Sequence, residues 1–353
     1  MHSPLAAAGR TQVHDSDVAA LPGGLALARV ALVHGATLEL VTEAGTRPGH
    51  PTGRLRHGAA SPADLPAVGD WVGYDAESGA VHTVLPRTSA LVRAARDGYE
   101  PQVLAANVDL VVVVASLTRE LSIGRIERML TLAADAPAEA LVVLSKSDLD
   151  PDPPARATEV RAALSGGATV LPLSIVDGTG IDAVAAMLGP GVTGVLLGAS
   201  GVGKTTLLNR LAGGDRATAP IRESDDRGRH TTTWRELVPL AGGGVVIDTP
   251  GLKLPRIWEQ AAGLSAVFAD VEAIAATCRF ADCKHAGEPG CAVAEALADG
   301  RLTHERVAAL EQLRREQAWA DTRRDHRLQR ERKEARRRQQ RELRRTLKAK
   351  GRS

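Results

Sequence analysis

A nine-residue glycine-rich segment, Gly198–Thr206, constrains the fold of this chain more than any other feature. It fits the pattern G-x-x-x-x-G-K-[ST]. An apolar run precedes it, and residues 207–211 follow at helical spacing. A strand, loop and helix in this order cradle phosphate groups, because glycines let successive backbone N–H groups point inward. The predicted phosphate-binding residues are Gly198, Ala199, Ser200, Gly201, Val202, Gly203, Lys204, Thr205 and Thr206.

Within this segment, two side chains have predicted catalytic roles. We expect Lys204 to reach the β- and γ-phosphates of a nucleotide and the Thr205 hydroxyl to hold Mg²⁺.

The chain has 353 residues, which is room for two or three domains. No apolar run approaches the ~18 residues of a membrane span, and the first residues lack the pattern of a secretory signal. We therefore expect a cytoplasmic protein that does not contact membranes.

The N-terminal part of the sequence alternates in the manner of short strands. We predict a tail without order over 1–24 and a small β-barrel over 25–92, with strands near 28–33, 37–41, 70–74 and 80–85. Residues 53–58 place basic side chains on a predicted loop. Small barrels of the OB type often bind nucleic acid, but a purely structural barrel stays an alternative, since fold alone does not give function.

From residue 105 to 260, buried strands alternate with helices, which indicates an α/β domain with a parallel sheet. The strands are predicted near 108–114, 141–144, 169–173, 195–197 and 245–247, and the helices near 123–134, 159–164 and 182–188. Residues 234–240 are predicted to add an edge strand.

Two segments after strands of this domain have the chemistry of a guanine site. Ser145-Lys146-Ser147-Asp148 resembles the N-K-x-D motif, in which the carboxylate accepts hydrogen bonds from two donors of guanine that adenine lacks. Serine replaces the usual asparagine or threonine at Ser145. The segment that begins at Ser174 resembles the weaker second guanine loop, where a backbone N–H near Ser174 would bond the base carbonyl oxygen.

Asp248 and Gly251, in the sequence D-T-P-G, follow a further strand and are expected to contact Mg²⁺ and the γ-phosphate. Both guanine segments precede the phosphate loop, the reverse of the usual order, so a single guanine site requires a circularly permuted domain. The water-positioning glutamine of Ras-like enzymes is absent after Gly251. A partner or His230, in the predicted switch segment 228–233, must then orient the water, although His230 is equally compatible with an ordinary loop histidine.

The C-terminal part contains all three cysteines. Together with one histidine they supply three thiolates and one imidazole: Cys278, Cys283, His285 and Cys291. This set predicts one structural Zn²⁺. We expect it to lie in a mostly helical domain over 261–312. The tail over 313–353 is predicted to be helical or disordered. Its residues 314–352 include 17 basic and six acidic residues, which favours contact with a nucleic-acid backbone.

Taken together, these motifs resemble the RsgA family of GTPases, also called YjeQ or EngC. The resemblance is carried by seven segments, which follow one another in the order typical of the family: 68–72, 85–87, 106–109, 198–206, 228–233, 248–251 and 278–291. The resemblance implies an N-terminal OB barrel, a circularly permuted GTPase domain and a C-terminal zinc domain. It also implies binding of GTP and GDP, and GTP hydrolysis stimulated by the 30S ribosomal subunit during its late maturation, with 16S rRNA as the contact and a monomeric protein.

Two other functions remain open from the sequence. One is a phosphate-loop kinase or ATPase that acts on a small molecule, against which Asp148 argues. The other is an RNA-binding zinc scaffold whose GTPase activity is weak or lost. A preference for ATP over GTP would distinguish the kinase or ATPase from a GTPase. Equal rates of phosphate release with and without replacement of Lys204 would indicate the scaffold.

Overall fold

The computed structural model describes residues 4–9, 15–94, 100–118, 121–164, 168–214, 235–249 and 261–322. The strands are β1 (Leu25–His34), β2 (Thr37–Thr42), β3 (Gly45–Pro51), β4 (Trp71–Asp75), β5 (Ala80–Val84), β6 (Ala90–Ala94), β7 (Pro101–Ala106), β8 (Leu110–Ser116), β9 (Glu139–Ser145), β10 (Thr169–Leu173), β11 (Thr193–Leu197), β12 (Glu236–Pro239) and β13 (Val245–Asp248).

The helices are α1 (Pro4–Ala7), α2 (Asp15–Ala19), α3 (Gly53–Gly58), α4 (Ile123–Asp135), α5 (Pro153–Ala163), α6 (Ile181–Met187), α7 (Lys204–Ala212), α8 (Ala261–Val267), α9 (Ala269–Ala275) and α10 (Ala292–Ala298). Residues 304–322 form a further helix. No helix within the described residues is both long and apolar enough to cross a membrane.

Strands β1 to β5 form the predicted barrel, and they close it in the order β1-β2-β3-β5-β4-β1. All neighbours are antiparallel except β3 and β5. The interior is filled by small and branched side chains such as Val30, Leu40 and Val81, which are fully buried. Closure removes the free edges that would otherwise template aggregation. The arrangement is that of an OB fold.

The central sheet has the order β10-β9-β8-β11-β13-β12, and every pair is parallel except β12 with β13. Alternate residues of its strands pack on opposite faces. Val111 and Val113 of β8 face the side covered by α4 and α5, and Val112 and Val114 face the side covered by α6 and α7. A sheet covered on both sides explains the uninterrupted apolar runs in the sequence.

Barrel and central sheet are continuous, because β12 pairs with β13 on one side and with β1 on the other. The prediction of a strand at 234–240 is confirmed over Glu236–Pro239, but its placement at a free edge is wrong. The contact with β1 is brief, with Leu32 opposite Glu236. A pairing between segments two hundred residues apart leaves no local pattern in the sequence.

Three local features differ from the sequence-based expectations. Within the predicted tail, residues 4–9 form a helical turn, and Leu5 is buried with Trp71 and Leu85. The predicted loop at 53–58 is α3, because the Thr52 hydroxyl caps it by accepting from the Leu55 N–H (3.2 Å). Strands β6 and β7 form an antiparallel hairpin between the two domains. Helix α3 was predicted as a loop because its first and last residues, Gly53 and Gly58, are typical of loops in a sequence.

The C-terminal part is helical, as predicted, and it docks on α4 of the central domain. Arg306, from the helix 304–322, donates to Glu127 of α4 and to both carboxylate oxygens of Asp270 in α9 (2.7 and 2.6 Å). Its guanidinium also lies 4.9 Å from the ring centroid of Phe268. Glu127 is 1% exposed and Arg306 is 6% exposed, so this charge network is built into the interface between the domains.

Candidate functional site

The glycine-rich segment has the predicted strand–loop–helix setting. Strand β11 ends at Leu197 and α7 begins at Lys204, with Gly203 in the left-handed conformation at the helix start. Gly198 has φ of +155°, and a Cβ atom there would lie 2.4 Å from the carbonyl oxygen of Val114 in β8. Only glycine fits so close to a neighbouring strand. The loop is therefore shaped by its packing on the sheet.

Lys204 lies inside this loop. Its Nζ donates to the carbonyl oxygens of Gly198 (2.7 Å) and Ala199 (2.8 Å). Burial lowers the pKa of Lys204, and the negative charge of Asp248 opposes that shift. Val202 is buried, whereas Ser200, Gly201, Thr205 and Thr206 are exposed. Thr205 is thus exposed in the first turn of α7, and its contact with Mg²⁺ stays a prediction.

Asp248 is the last residue of β13, which runs parallel beside β11. The next residue, Thr249, is buried, and its hydroxyl donates to the carbonyl oxygen of Leu196 (3.0 Å). This bond fixes the start of the D-T-P-G segment against the strand that leads into the phosphate loop. Gly251 and His230 lie outside the described residues, so their predicted roles stay predictions.

The first guanine segment follows β9. Lys146 adopts the left-handed conformation (φ +59°), which turns the chain so that Ser147 is buried and Asp148 is exposed in a 3₁₀ turn, Ser147–Leu149. A non-glycine residue in this conformation is strained by roughly 1–2 kcal/mol. Asp148 is thereby exposed just after the end of β9, and its role in reading a base stays a prediction.

The second guanine segment follows β10 and is a tight turn organised by Ser174. The Ser174 N–H donates to the carbonyl oxygen of Thr179 (3.0 Å). The Ser174 hydroxyl oxygen accepts from the N–H groups of Val176 (3.2 Å) and Asp177 (3.3 Å). Within the described residues, the N–H groups of Ile175 and Gly180 in this turn have no protein acceptor. The Ile175 N–H lies next to Ser174, and the predicted bond from a backbone N–H near Ser174 to the base stays a prediction.

One short hydrogen bond joins the guanine segment to the phosphate loop. The Ser145 hydroxyl is buried and donates to the carbonyl oxygen of Val202 (2.6 Å), with the Ala115 carbonyl oxygen also near (3.1 Å). Strands β10, β9, β8, β11 and β13 are parallel, so their C-terminal ends share one edge of the sheet. This edge of the sheet therefore carries Ser145, Asp148, Ser174, Lys204 and Asp248, although the first three precede the loop in the chain.

The cysteine cluster forms a compact donor set. The ligand atoms of Cys278, Cys283, His285 and Cys291 all lie within 4.8 Å of one another. His285 Nδ1 lies 3.6 Å from the Sγ of Cys278 and 3.5 Å from that of Cys291. A tetrahedral zinc ion with Zn–S of ~2.3 Å and Zn–N of ~2.0 Å requires S–N separations of about 3.6 Å. The donor types and these distances fit zinc.

Glu288 stiffens this cluster from outside the donor set. Its carboxylate oxygens accept from the N–H groups of Lys284 (3.0 Å) and Ala286 (2.7 Å), on either side of His285. His285 itself has a positive φ of 57°. The loop is thereby closed around the imidazole, which turns Nδ1 toward the sulfur atoms.

Segments 68–70, 85–87 and 106–109 build the junction between barrel and central sheet, a role that the sequence did not reveal. Arg87 makes a bidentate ion pair with the buried Asp70 (2.7 Å for both bonds). Asn107 donates from Nδ2 to the Gly69 carbonyl oxygen (3.0 Å). A Cβ at Gly69 would lie 2.2 Å from the carbonyl oxygen of Ala106. These residues hold two domains together rather than bind a ligand.

Arg29 in β1 completes this junction. It is fully buried and donates to the Gly69 carbonyl oxygen (3.2 Å), to the Ala8 carbonyl oxygen and to the Thr193 hydroxyl (2.8 Å). Its guanidinium lies 5.0 Å from the Trp71 ring centroid. Burial lowers the pKa of Arg29 to about 10, against the attraction of Asp109 and Asp70. An arginine in an otherwise apolar strand was the available signal, since a buried arginine requires partners.

Comparison with known proteins gives a consistent result. A sequence model described as RsgA GTPase matches residues 84–258. The chain is 47% identical over 313 residues to the small ribosomal subunit biogenesis GTPase RsgA of Opitutus terrae, covering 84% of this chain and 85% of that protein. It is 43% identical over 319 residues to the protein of the same name from Streptomyces avermitilis, covering 87% of this chain and 84% of that protein.

Two solved structures share the fold. YjeQ from Thermotoga maritima superposes with a TM-score of 0.59 at 27% identity and covers 82% of this chain and 97% of its own. YloQ, described as a circularly permuted GTPase, gives a TM-score of 0.55 at 22% identity, covering 86% of this chain and 96% of its own. With the strand order, the shared edge of loops and the identity to its relatives, this chain belongs to the RsgA family of circularly permuted GTPases.

Proposed function

We propose that this protein is a GTPase that binds the 30S ribosomal subunit late in its maturation and leaves it on GTP hydrolysis. The observation that carries the proposal is the Ser145–Val202 hydrogen bond (2.6 Å). This bond holds the predicted guanine segment 145–148 against the phosphate loop 198–206. A single nucleotide would therefore contact both, with its base at the first and its phosphates at the second.

Base selection in this proposal comes from complementary donors and acceptors. The Asp148 carboxylate accepts from N1–H and the exocyclic amine of guanine, and the Ile175 N–H donates to the carbonyl oxygen of the base. Adenine presents the opposite pattern at both places. A site built on such hydrogen bonds rejects a base that leaves them unpaired by ~10⁴-fold, which disfavours the ATPase and kinase alternatives.

Hydrolysis in this proposal depends on few groups of the chain. Lys204 neutralises charge on the β- and γ-phosphates, and the Thr205 hydroxyl and Asp248 would hold Mg²⁺. When bound, such an ion would supply positive charge against the phosphates. No glutamine follows Gly251 to orient the water, so the unaided rate is slow. His230 or a group of the subunit supplies that orientation.

The four-ligand cluster of Cys278, Cys283, His285 and Cys291 would hold one Zn²⁺. With four protein ligands no coordination position remains for a substrate, so its role is structural. Zinc would fix the segment 279–290, in which the chain forms turns and bends but no helix or strand. The alternative scaffold function would keep this site and lose hydrolysis.

The subunit as partner is supported by the names of the two relatives and by charge. Helix α3 of the barrel exposes Arg54, Arg56 and His57, and the segment 314–352 carries its large basic excess. Both suit the phosphate backbone of 16S rRNA. Because ribosomal subunits mature in the cytoplasm, we place the protein there. We expect it to act as a monomer.

Co-sedimentation with purified 30S subunits tests this function. We expect the protein to pellet with subunits in the presence of a non-hydrolysable GTP analogue and to remain in the supernatant with GDP. The matching ATP analogue should behave like no nucleotide. Equal pelleting in all conditions would contradict a nucleotide-controlled cycle and favour the scaffold, and a preference for the ATP analogue would favour the ATPase.

A further inference from the structure

The zinc-binding loop exposes an aromatic ring in a chain that has few. The sequence contains two phenylalanines. Phe268 is fully buried between the domains, whereas Phe280 is 43% exposed, on the turn between Cys278 and Cys283. A single exposed apolar side chain is common in proteins, so exposure alone does not indicate a site. The surroundings of Phe280 are what distinguish it.

The ring of Phe280 belongs to a preformed pair with Arg279. The Arg279 guanidinium lies over the ring, with its central carbon 5.6 Å from the ring centroid. The Arg279 N–H donates to the Gly290 carbonyl oxygen (3.1 Å), and its aliphatic stem lies against Gly290. The Phe280 carbonyl oxygen accepts from the Cys283 N–H (3.2 Å). The backbone of both residues and the stem of Arg279 are therefore held by the loop, which lowers the entropy lost when a partner binds.

The charges around this pair nearly cancel. Arg279 and Lys284 are positive, and Asp282 and Glu288 are negative. The oxygens of Glu288 already accept from two N–H groups of the loop. A balanced surface does not suit a clamp on phosphate groups, which requires a cationic excess. A flat ring beside a guanidinium suits the face of an unpaired nucleobase, which stacks on aromatic side chains and on arginine planes.

We propose that Arg279 and Phe280 form a stacking platform for one unpaired base of the small-subunit RNA. The proposal rests on the proposed function, since it takes the RNA from that partner. Stacking on a ring is tolerant of base identity and insensitive to salt, whereas phosphate contacts are strongly salt-dependent. The platform would thus contribute binding free energy that does not depend on salt, whereas the contribution of the basic segment 314–352 would decrease as salt rises.

The test measures binding of the full-length protein to purified 30S subunits with a GTP analogue, over a series of salt concentrations. We expect Phe280→Ala and Phe280→Leu to weaken binding by about 5- to 100-fold, as the loss of one stacked base does. Phe280→Tyr should bind as the unsubstituted protein does. All variants should keep the same slope of log affinity against log salt. Zinc content and GTP hydrolysis without subunits should not change.

Each other outcome contradicts a specific part of the proposal. Unchanged binding by Phe280→Ala would overturn the platform. Retention of binding by Phe280→Leu but not by Phe280→Ala would overturn stacking and point to an apolar pocket of a ribosomal protein. A reduced salt slope would indicate a phosphate contact instead. If the unsubstituted protein fails to bind subunits, the proposed function falls, and the platform loses its partner with it.

Discussion

At the scale of single residues, Ser145 shows how one hydroxyl serves in place of a larger amide. Serine stands here where asparagine or threonine is usual. Its Oγ lies 2.6 Å from the Val202 carbonyl oxygen, in a buried position. A short side chain suffices because the end of β9 lies directly beside the phosphate loop.

Replacing Ser145 by alanine should weaken binding of GDP and GTP by about 5- to 10-fold, because a buried carbonyl loses its donor at a cost of ~1–1.5 kcal/mol. Isothermal titration with each nucleotide measures this. Ser145→Thr keeps the hydroxyl and is the matched control, expected to bind within about 2-fold of the unsubstituted protein. Equal affinities of the alanine and threonine variants would mean that the bond does not support the site.

Elements are joined in this protein by buried polar groups as well as by apolar packing. The best example is α4, whose Glu127 and Asp135 both face the C-terminal part. Burial raises the pKa of Glu127 to about 7, although Arg306 opposes the shift. Asp135 Oδ1 accepts from the Gly263 N–H of α8 (2.7 Å), and burial raises the pKa of Asp135 to about 6.

The raised pKa of Asp135 makes docking of α8 depend on pH. The folded protein holds this proton more tightly than the unfolded chain, so the contribution is present at low pH and is lost as pH rises from about 4 through about 6. Asp135→Asn keeps the acceptor for Gly263 without a charge. We expect it to match the unsubstituted protein near pH 4.5 and to be more stable by about 1–2 kcal/mol at pH 8.

Thermal or urea unfolding of both proteins across this range measures the difference. Asp182→Asn removes an exposed carboxylate of α6 and is the control for loss of one negative charge. A constant difference between Asp135→Asn and the unsubstituted protein at all pH values would show that Asp135 is ionised throughout, contrary to this account.

Substitution of Arg306 tests the charge network between the domains, and substitution of Arg314, in a more exposed ion pair, is its control. Arg306→Ala leaves Glu127 buried without its cation, which should cost about 3–5 kcal/mol of unfolding free energy. Arg314 pairs with Glu272 (2.8 Å), where Arg314 is exposed and Glu272 is partly exposed, and Arg314→Ala should cost below about 1 kcal/mol. Urea unfolding distinguishes the two. Similar small losses would mean that water compensates Glu127 when Arg306 is removed.

Sequence patterns predicted the elements well where the pattern is local. The apolar runs of β8, β9, β11 and β13 and the motif residues after them are each readable within ten residues. The patterns failed where a partner is distant. Arg29 and Thr193 lie 164 residues apart, and the pairing of β1 with β12 joins the still more distant Leu32 and Glu236. The bonds inside the Ser174 turn, from the N–H groups of Val176 and Asp177 to the Ser174 hydroxyl, could not be predicted either, because they depend on the conformation of the turn.

At the scale of the whole molecule, circular permutation changes what the phosphate edge is connected to. After Asp248 and Thr249 the chain leads through residues 250–260 into α8, which Asp135 anchors, and on to the zinc loop. On the other side, Arg29 and the β1–β12 pairing link the barrel to β11 and β13. Both flanking domains are thus attached to elements that adjoin the phosphate loop. In the proposed function, this attachment would couple hydrolysis to subunit binding.

The most direct test of this account is the initial rate of GTP hydrolysis by the full-length protein with and without purified 30S subunits. We predict slow hydrolysis alone and at least about 100-fold faster hydrolysis with saturating 30S, within the range of up to ~10⁵ that partners supply. The 50S subunit should give no gain, and Lys204→Ala should abolish the stimulated rate. A rate that is the same with and without 30S subunits would contradict the account.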